Sequence, residues 1–316
     1  MNKRAKRYTS IGGEALIEGI LMRGPKRIEV SVRTPDGTID SEELHYQPLR
    51  QKYPILKAPI LRGVASFIES MSMSFQALNM AADKSGMTDT EEESKFDRWL
   101  ESHFGEKTSN LIMTIGMILG FVLAIVLFIL LPSVLFNLFQ KGVGEGIAPW
   151  RSLFEGILRI LIFLIYLILC SHQSDIHRMF RYHGAEHKTI FCYEHGLPLT
   201  VENVRKQKRF HPRCGTSFMV LMILVGIIVG FFIPFTNPFL RTFVKLLCIP
   251  LVMGLGFELI RLCGFYDNFF TRIVAAPGLW MQRITTKEPD DSMIEVAITA
   301  MKAVIPGNGE DMVEVR

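Results

Sequence analysis

His183 and His187 stand four residues apart in the stretch His183-Gly184-Ala185-Glu186-His187, and His211-Pro212-Arg213-Cys214 follows in the same polar segment between apolar runs. On a helix, positions i and i+4 share a face, so both imidazoles can be offered to one ion while Glu186 sits one step round. This is the H-x-x-E-H arrangement, in which two histidines hold zinc and the glutamate serves as general base. His211 and Cys214 add two more zinc-capable side chains. The pattern predicts a metal centre, zinc preferred for His/Cys donors, with His183, His187, His211 and Cys214 as candidate ligands and Glu186 as candidate catalytic base. Two versions stay open: a structural site closed by four protein ligands, or a catalytic one with three ligands and a position left for water. Histidines that bind no metal and hydrogen-bond locally are the plainer alternative.

Glu258 is a fifth candidate ligand. It lies in an apolar run, and an ionisable group within a membrane span is by default a functional one, here a third ligand or a proton relay. The competing reading pairs it with Arg261, three residues on, which helix geometry permits. His172, Asp175 and His177 read as groups that solvate a helix end where it leaves lipid, and Cys192 reads as packing.

The elements that must carry these residues are membrane helices. The chain has 316 residues, 49% of them hydrophobic, with mean hydropathy +0.26, which is high for a soluble protein. Spans are expected at 111–131, 153–170, 217–233 and 243–265, with Pro132 ending the first and Glu155 paired to Arg159 near the start of the second. The second is expected to run on as a helix past the membrane to Tyr193, because proline is absent until Pro198. The segment 171–216 holds eight lysines and arginines, whereas 137–152 holds only Lys141 and Arg151. Basic short loops favour the cytoplasm, so the histidine loop and both termini are expected there, on a multi-pass protein of the cell (inner) membrane.

Outside the spans, residues 1–58 combine a glycine-rich run, Gly12 to Pro25, read as a packed connector, with a β-hairpin. Ile28, Val30 and Val32 alternate with polar residues, Thr34-Pro35-Asp36-Gly37 is a turn, and Ile39 starts the return strand. Residues 59–110 hold an amphipathic helix from Pro59 to Ala82, with Ile60, Leu61, Val64, Phe67, Ile68, Met71, Phe75 and Leu78 on its apolar face, then a polar link containing Glu91-Glu92-Glu93. Residues 111–265 are the membrane domain with its His/Cys loop. Residues 266–316 follow, with Phe265, Tyr266, Phe269, Phe270 and Trp280 as an interfacial aromatic belt and a last helix capped by Asp291 or Ser292. The expected class is therefore a mainly α membrane protein of about four spans, with a small cytoplasmic hairpin-containing part and amphipathic interfacial helices.

The glycine-rich run, His-Gly-Ala-Glu-His-Lys at 183–188, His-Pro-Arg-Cys-Gly-Thr-Ser-Phe at 211–218 and Thr-Lys-Glu-Pro-Asp-Asp at 286–291 together resemble the YqhQ-like family of bacterial membrane proteins. That family is carried as a domain of unknown function and sometimes labelled a metal-dependent enzyme. The resemblance covers nearly the whole chain and implies a multi-pass inner-membrane protein with a metal site. It implies no particular reaction or substrate.

A net charge of +4 and scattered basic residues exclude a nucleic-acid partner on composition. Five cysteines without a C-x-x-C pair argue against a disulfide framework. Two functions fit. One is a cytoplasm-facing, zinc-dependent hydrolase acting on a lipid headgroup or membrane-associated peptide, with Glu186 accepting the proton of water. The other is a non-enzymatic scaffold or assembly factor with a structural metal, whose basic segment 205–209 binds a protein partner or anionic lipid. Membrane lipids are partners in both, and a homo-oligomer is compatible with either.

Overall fold

The computed structural model describes residues 7–86, 107–212, 214–266 and 268–314. The polar link with Glu91-Glu92-Glu93, Arg213 and the side chain of Phe265 lie outside what it describes. In chain order come β1 (Arg7–Thr9), β2 (Gly12–Leu16), β3 (Gly19–Arg23), β4 (Ile28–Arg33), β5 (Ile39–Glu43), α1 (Leu49–Lys52) and α2 (Leu61–Lys84). Then follow α3 (Lys107–Ile125), α4 (Leu131–Val143), α5 (Arg151–Ser171), α6 (Ser174–Glu194), α7 (Val201–Arg205) and α8 (Gly215–Phe231). The last are α9 (Pro238–Leu247), α10 (Ile249–Phe265), α11 (Phe269–Thr285), α12 (Asp291–Val304) and β6 (Met312–Glu314). They divide into two units. One comprises Met1–Gly86, Leu167–Met222 and Pro250–Arg316, the other Met87–Tyr166 and Ile223–Ile249.

The first unit is built on an antiparallel meander, β2-β3-β4-β5, beside a two-stranded β1-β6 pair. The expected hairpin is its β4–β5 half: Gly37 takes φ +87° in the turn, and Thr34 N–H donates to Thr38 O at 3.0 Å. The glycine-rich run is not a connector but the other half. Leu16 pairs with Gly19 across a tight turn in which Glu18 has φ +49°, and a Cβ on Gly19 would lie 2.7 Å from Ser31 O. No alternation marked these strands, because Ile20 and Met22 point to one core and Leu21 to another. Leu16, Leu21, Val30 and Val32 pack against Met73, Ala77 and Ala81 of α2. Ile20 and Met22 pack against Tyr182 and Ala185 of α6 and Met293, Ala297 and Met301 of α12. A sheet thus lies between α2 and the α6–α12 pair.

On α2, Met73, Ala77 and Ala81 pack on the sheet, while Ile68, Met71 and Phe75 of the apolar face are exposed. Two helix expectations in this unit are corrected. The helix expected from the second span to Tyr193 stops at Ser171 and restarts at Ser174. There the Ser171 hydroxyl donates to Ile168 O at 2.7 Å and His172 Nδ1 sits 2.6 Å from the same oxygen, so side chains take over the last-turn carbonyl. The final helix has the expected buried face, but its cap is Asp290 and not Asp291 or Ser292: the Asp290 carboxylate accepts from Met293 N.

In the second unit Pro132 does not end a helix. A π-helical turn, Val126–Leu130, joins α3 to α4, and a proline at 132 cannot bond the carbonyl of Phe128 four residues back. Arg159 Nε donates to that oxygen at 2.7 Å, so the partner expected for Glu155 instead repairs the proline break. Gly156 makes room for α8: a Cβ there would meet Ile227 Cγ1 at 2.2 Å. Among the described residues Ile115–Val143 and Glu145–Ser171 are long and apolar enough to cross a membrane. The fourth expected span is broken at Cys248 into α9 and α10, which make a third crossing if counted together, and the third expected span forms the shorter apolar helix of Phe218–Phe231. The protein is mainly helical with two or three such helices.

Candidate metal centre

His183 and His187 lie one turn apart on α6, with ring centroids 4.4 Å apart. Each ring is held from behind by a backbone carbonyl. His183 Nδ1 lies 2.9 Å from Thr285 O and His187 Nδ1 lies 2.6 Å from Arg209 O. A carbonyl only accepts, so Nδ1 of each ring carries the proton and Nε2 keeps its lone pair. Both lone pairs face the Cys214 segment. The Cys214 thiol is 3.2 Å from His183 Nε2, and one donor atom from each of His183, His187 and Cys214 lies within 4.8 Å of the others. Around tetrahedral zinc such donors stand roughly 3.3–3.8 Å apart, so a small closure completes a three-ligand shell.

The decisive atom is His187 Nε2. It is buried and has no hydrogen-bond partner among the described residues, and His187 is only 1% exposed. An unpaired buried acceptor costs on the order of 1–3 kcal/mol, and backbone carbonyls behind ligating histidines are the usual means of orienting them. Burial also holds the His187 pKa below its ordinary value, against the opposing pull of the Cys214 thiol, which favours the neutral ring. The donor set fits zinc.

Glycine at 184, which weakens an isolated helix, has a packing reason here. A Cβ would lie 2.0 Å from Lys287 O, and Lys287 N–H donates to Phe180 O at 2.8 Å. Residues 285–289 therefore cross α6 at closest approach, and this brings Thr285 O to His183. Lys188 and Glu288 do the equivalent for His187. Lys188 Nζ donates to Arg205 O at 3.0 Å, and Glu288 binds both Lys188 (2.7 Å) and Arg209 (2.8 Å), fixing the segment whose carbonyl holds His187. Arg205 pairs with Asp291 and Lys206 with Glu202, so much of the basic stretch 205–209 is matched within the chain.

Glu186 is 5% exposed and lies under β2, where Gly13 N–H donates to it and a Cβ on Gly13 would be 3.0 Å from its Cγ. Burial raises its pKa to about 8; His183 pulls the other way, while Cys214 and Glu14 add to the rise. Glu14, beside Gly13 on β2, accepts from the Ser74 hydroxyl at 2.5 Å, and burial raises its pKa as well.

His211 is adjacent but not in the three-donor group. Its ring is 5.6 Å from that of His187 and its Nε2 is 3.7 Å from Glu194, while Gln282 clamps its backbone, donating to its carbonyl at 2.7 Å and accepting from its N–H at 2.8 Å. Gln282 is fully buried and fixes the entry to Cys214 from α11. Glu258 belongs elsewhere. Its carboxylate binds the Arg62 guanidinium, at 2.5 Å from Nε, rather than the histidines or chiefly Arg261. A cavity of about 580 Å³ lined by Lys26, Glu43, His45 and Tyr46 contains none of the candidate ligands. Gln282 and Glu288 are the supporting residues that spacing did not single out, since each reaches the centre from a distant segment.

Residues 58–307 match a family model described as a protein of unknown function (DUF1385). The chain belongs to this family. The uncharacterized protein YqhQ of Bacillus subtilis (strain 168) is 34% identical over 299 residues, covering 93% of this chain and 92% of that protein. No solved structure matches. Membership therefore agrees with the resemblance carried by the motifs and adds no reaction, so the chemistry rests on the cluster of His183, His187 and Cys214.

Proposed function

We propose that this protein is a membrane-embedded, zinc-dependent hydrolase whose site faces the cytoplasm and acts on a lipid headgroup or a membrane-associated peptide. The observation that carries this reading is the buried, unpartnered Nε2 of His187 beside His183 Nε2 and the Cys214 thiol. Three protein ligands leave one coordination position open, the composition of a catalytic rather than a structural zinc site. Zinc bound there would polarise a substrate oxygen and lower the pKa of water toward neutrality. His183 and His187 hold their lone pairs forward because Thr285 and Arg209 hold their protons back. Glu186, one residue from His187 and buried beside the cluster, would be the base that accepts a proton from that water. Gly13 leaves room for that carboxylate, and the partly exposed edge at His183 is the side open to substrate.

Support for the membrane setting comes from the two long apolar helices, and for the cytoplasmic side from the basic segment 171–216. The test is a Glu186→Gln variant purified with zinc. The reading expects zinc content to stay at the wild-type level, while cleavage of headgroup or peptide substrates falls about 100-fold or more. Wild-type turnover in the variant would overturn the hydrolase. A structural-metal scaffold is the second reading, favoured by the near-complete burial of His187 and Cys214. It predicts that His183→Ala and Cys214→Ser unfold the protein while Glu186→Gln is silent.

A further inference from the structure

Among its described residues, the second unit holds a buried charge cluster that does not balance. Glu155, 2% exposed, accepts from Arg151 Nε at 3.0 Å, from Arg241 Nε at 3.0 and 3.1 Å, from Lys245 Nζ at 2.5 Å and from the Ser133 hydroxyl at 2.9 Å. Three cations meet one carboxylate. Among the described residues of this unit the one other acidic side chain is Glu145, which is exposed and accepts from Gln140. With Arg159, which also lies within electrostatic reach of Glu155 and bonds only the Phe128 carbonyl, three positive charges are left over among the described residues of these apolar helices, where unmatched charge is costly.

The surplus has a location. Arg241 is fully used: beyond Glu155 its nitrogens donate to Ile233 O, to Gly230 O at 3.1 Å and to Ser152 Oγ at 2.9 Å. Arg151 is not. It is 6% exposed, only its Nε is bonded, and both Nη1 and Nη2 are buried without a hydrogen-bond partner among the described residues. Its guanidinium lies 5.0 Å over the Phe136 ring, but a ring engages the flat face and leaves the in-plane N–H donors unanswered. Two parallel N–H donors on a guanidinium edge are the geometry that takes two oxygens of one oxyanion.

We propose that the Arg151, Arg241 and Lys245 cluster binds a phosphate group on the free edge of Arg151. A phosphate brings one to two negative charges, which offsets much of this surplus, and it accepts from both Nη atoms at once. The apolar helix that carries Arg151 begins at Glu145, which puts the site within about 10 Å of that helix's end, near the level of lipid headgroups. The phosphate can come from an anionic lipid or from free phosphate, and the chemistry at Arg151 is the same. The site is independent of the zinc reading.

The test uses the full chain in a maltoside detergent free of phosphate, with thermal unfolding followed on titration with inorganic phosphate and, separately, with dioctanoyl phosphatidylglycerol and its phosphate-free diacylglycerol counterpart. The expected result is a rise in Tm of about 3 °C or more with phosphate, phosphatidylglycerol or both, and none with diacylglycerol. A response to the lipid alone assigns the headgroup, and a response to inorganic phosphate assigns the free ion. Arg151→Gln should abolish the shift, and Arg151→Lys, which keeps the charge but loses the fork, should weaken binding about 10-fold while folding normally. No shift in wild type, or an undiminished shift in Arg151→Gln or Arg151→Lys, would overturn the proposal.

Discussion

Glu155 and His187 are both almost wholly buried, and they differ in what their polar atoms find. Every oxygen of Glu155 is met by donors, from Ser133 and Arg151 on one side and Arg241 and Lys245 on the other. His187 has one nitrogen locked to Arg209 O, and the other lies beside His183 and Cys214 without a well-formed hydrogen bond among the described residues. A carboxylate enclosed by cations holds helices in register. A lone pair kept bare in the interior costs stability, and the zinc proposed here would offset that cost. The lesson is that burial alone does not mark a functional group; the unanswered atom does, and in the Glu155 cluster that atom sits on Arg151.

The comparison breaks most sharply at Glu155. Glu155→Gln should destabilise the protein by about 3–5 kcal/mol, because it strands three cations in an apolar bundle. A thermal or denaturant measurement giving a loss under about 1 kcal/mol would remove the structural role. On the proposed zinc reading, the same measurement on metal-free Cys214→Ser should show a change of about 1 kcal/mol or less.

Next in size is Gly184→Ala. Its Cβ would meet a backbone carbonyl at 2.0 Å, which cannot rotate away, so a loss of about 2–4 kcal/mol is expected together with weakened zinc binding as Thr285 O leaves His183. Unchanged stability would mean that the 285–289 crossing is looser than described.

Glu186 sharpens the contrast through pH. Its pKa rises from 4.5 to about 8 in the metal-free fold. Below pH 4.5 both folded and unfolded chains are protonated and the group has no effect. Between these values the unfolded chain ionises while the folded one does not, so stability falls with rising pH and levels off above about 8. Glu186→Gln should abolish that slope and stabilise the metal-free protein at pH 7 by on the order of 1–3 kcal/mol. A variant no more stable than wild type between pH 5 and 8 would contradict the burial argument. The smallest effect is expected from His211→Ala, which should keep bound zinc because that ring lies beside the three-donor group and not in it.

Much of this was legible in the sequence where local periodicity carries the information. The i, i+4 pair of His183 and His187, the β4–β5 turn and the buried face of α12 each follow from spacing alone. Contacts that cross the chain were not. The Gly12–Arg23 hairpin showed no alternation because its residues are shared between two cores, and Glu258 found Arg62 because α2 packs on α10 so closely that a Cβ on Gly63 would touch Phe257. Pro132 read as a stop, yet a π turn and a distant arginine carry the helix past it. The glycine that made the motif look like a poor helix is the residue that lets a neighbouring segment hold His183 in place.

The most direct test of the central claim is zinc content per chain, by elemental analysis of protein purified in detergent, for wild type, His187→Ala, Cys214→Ser and Glu186→Gln. About one zinc in wild type and in Glu186→Gln, with little in the His187 and Cys214 variants, is the predicted result. Wild-type protein that takes up no zinc, or ligand variants that hold it as well as wild type, would contradict the account.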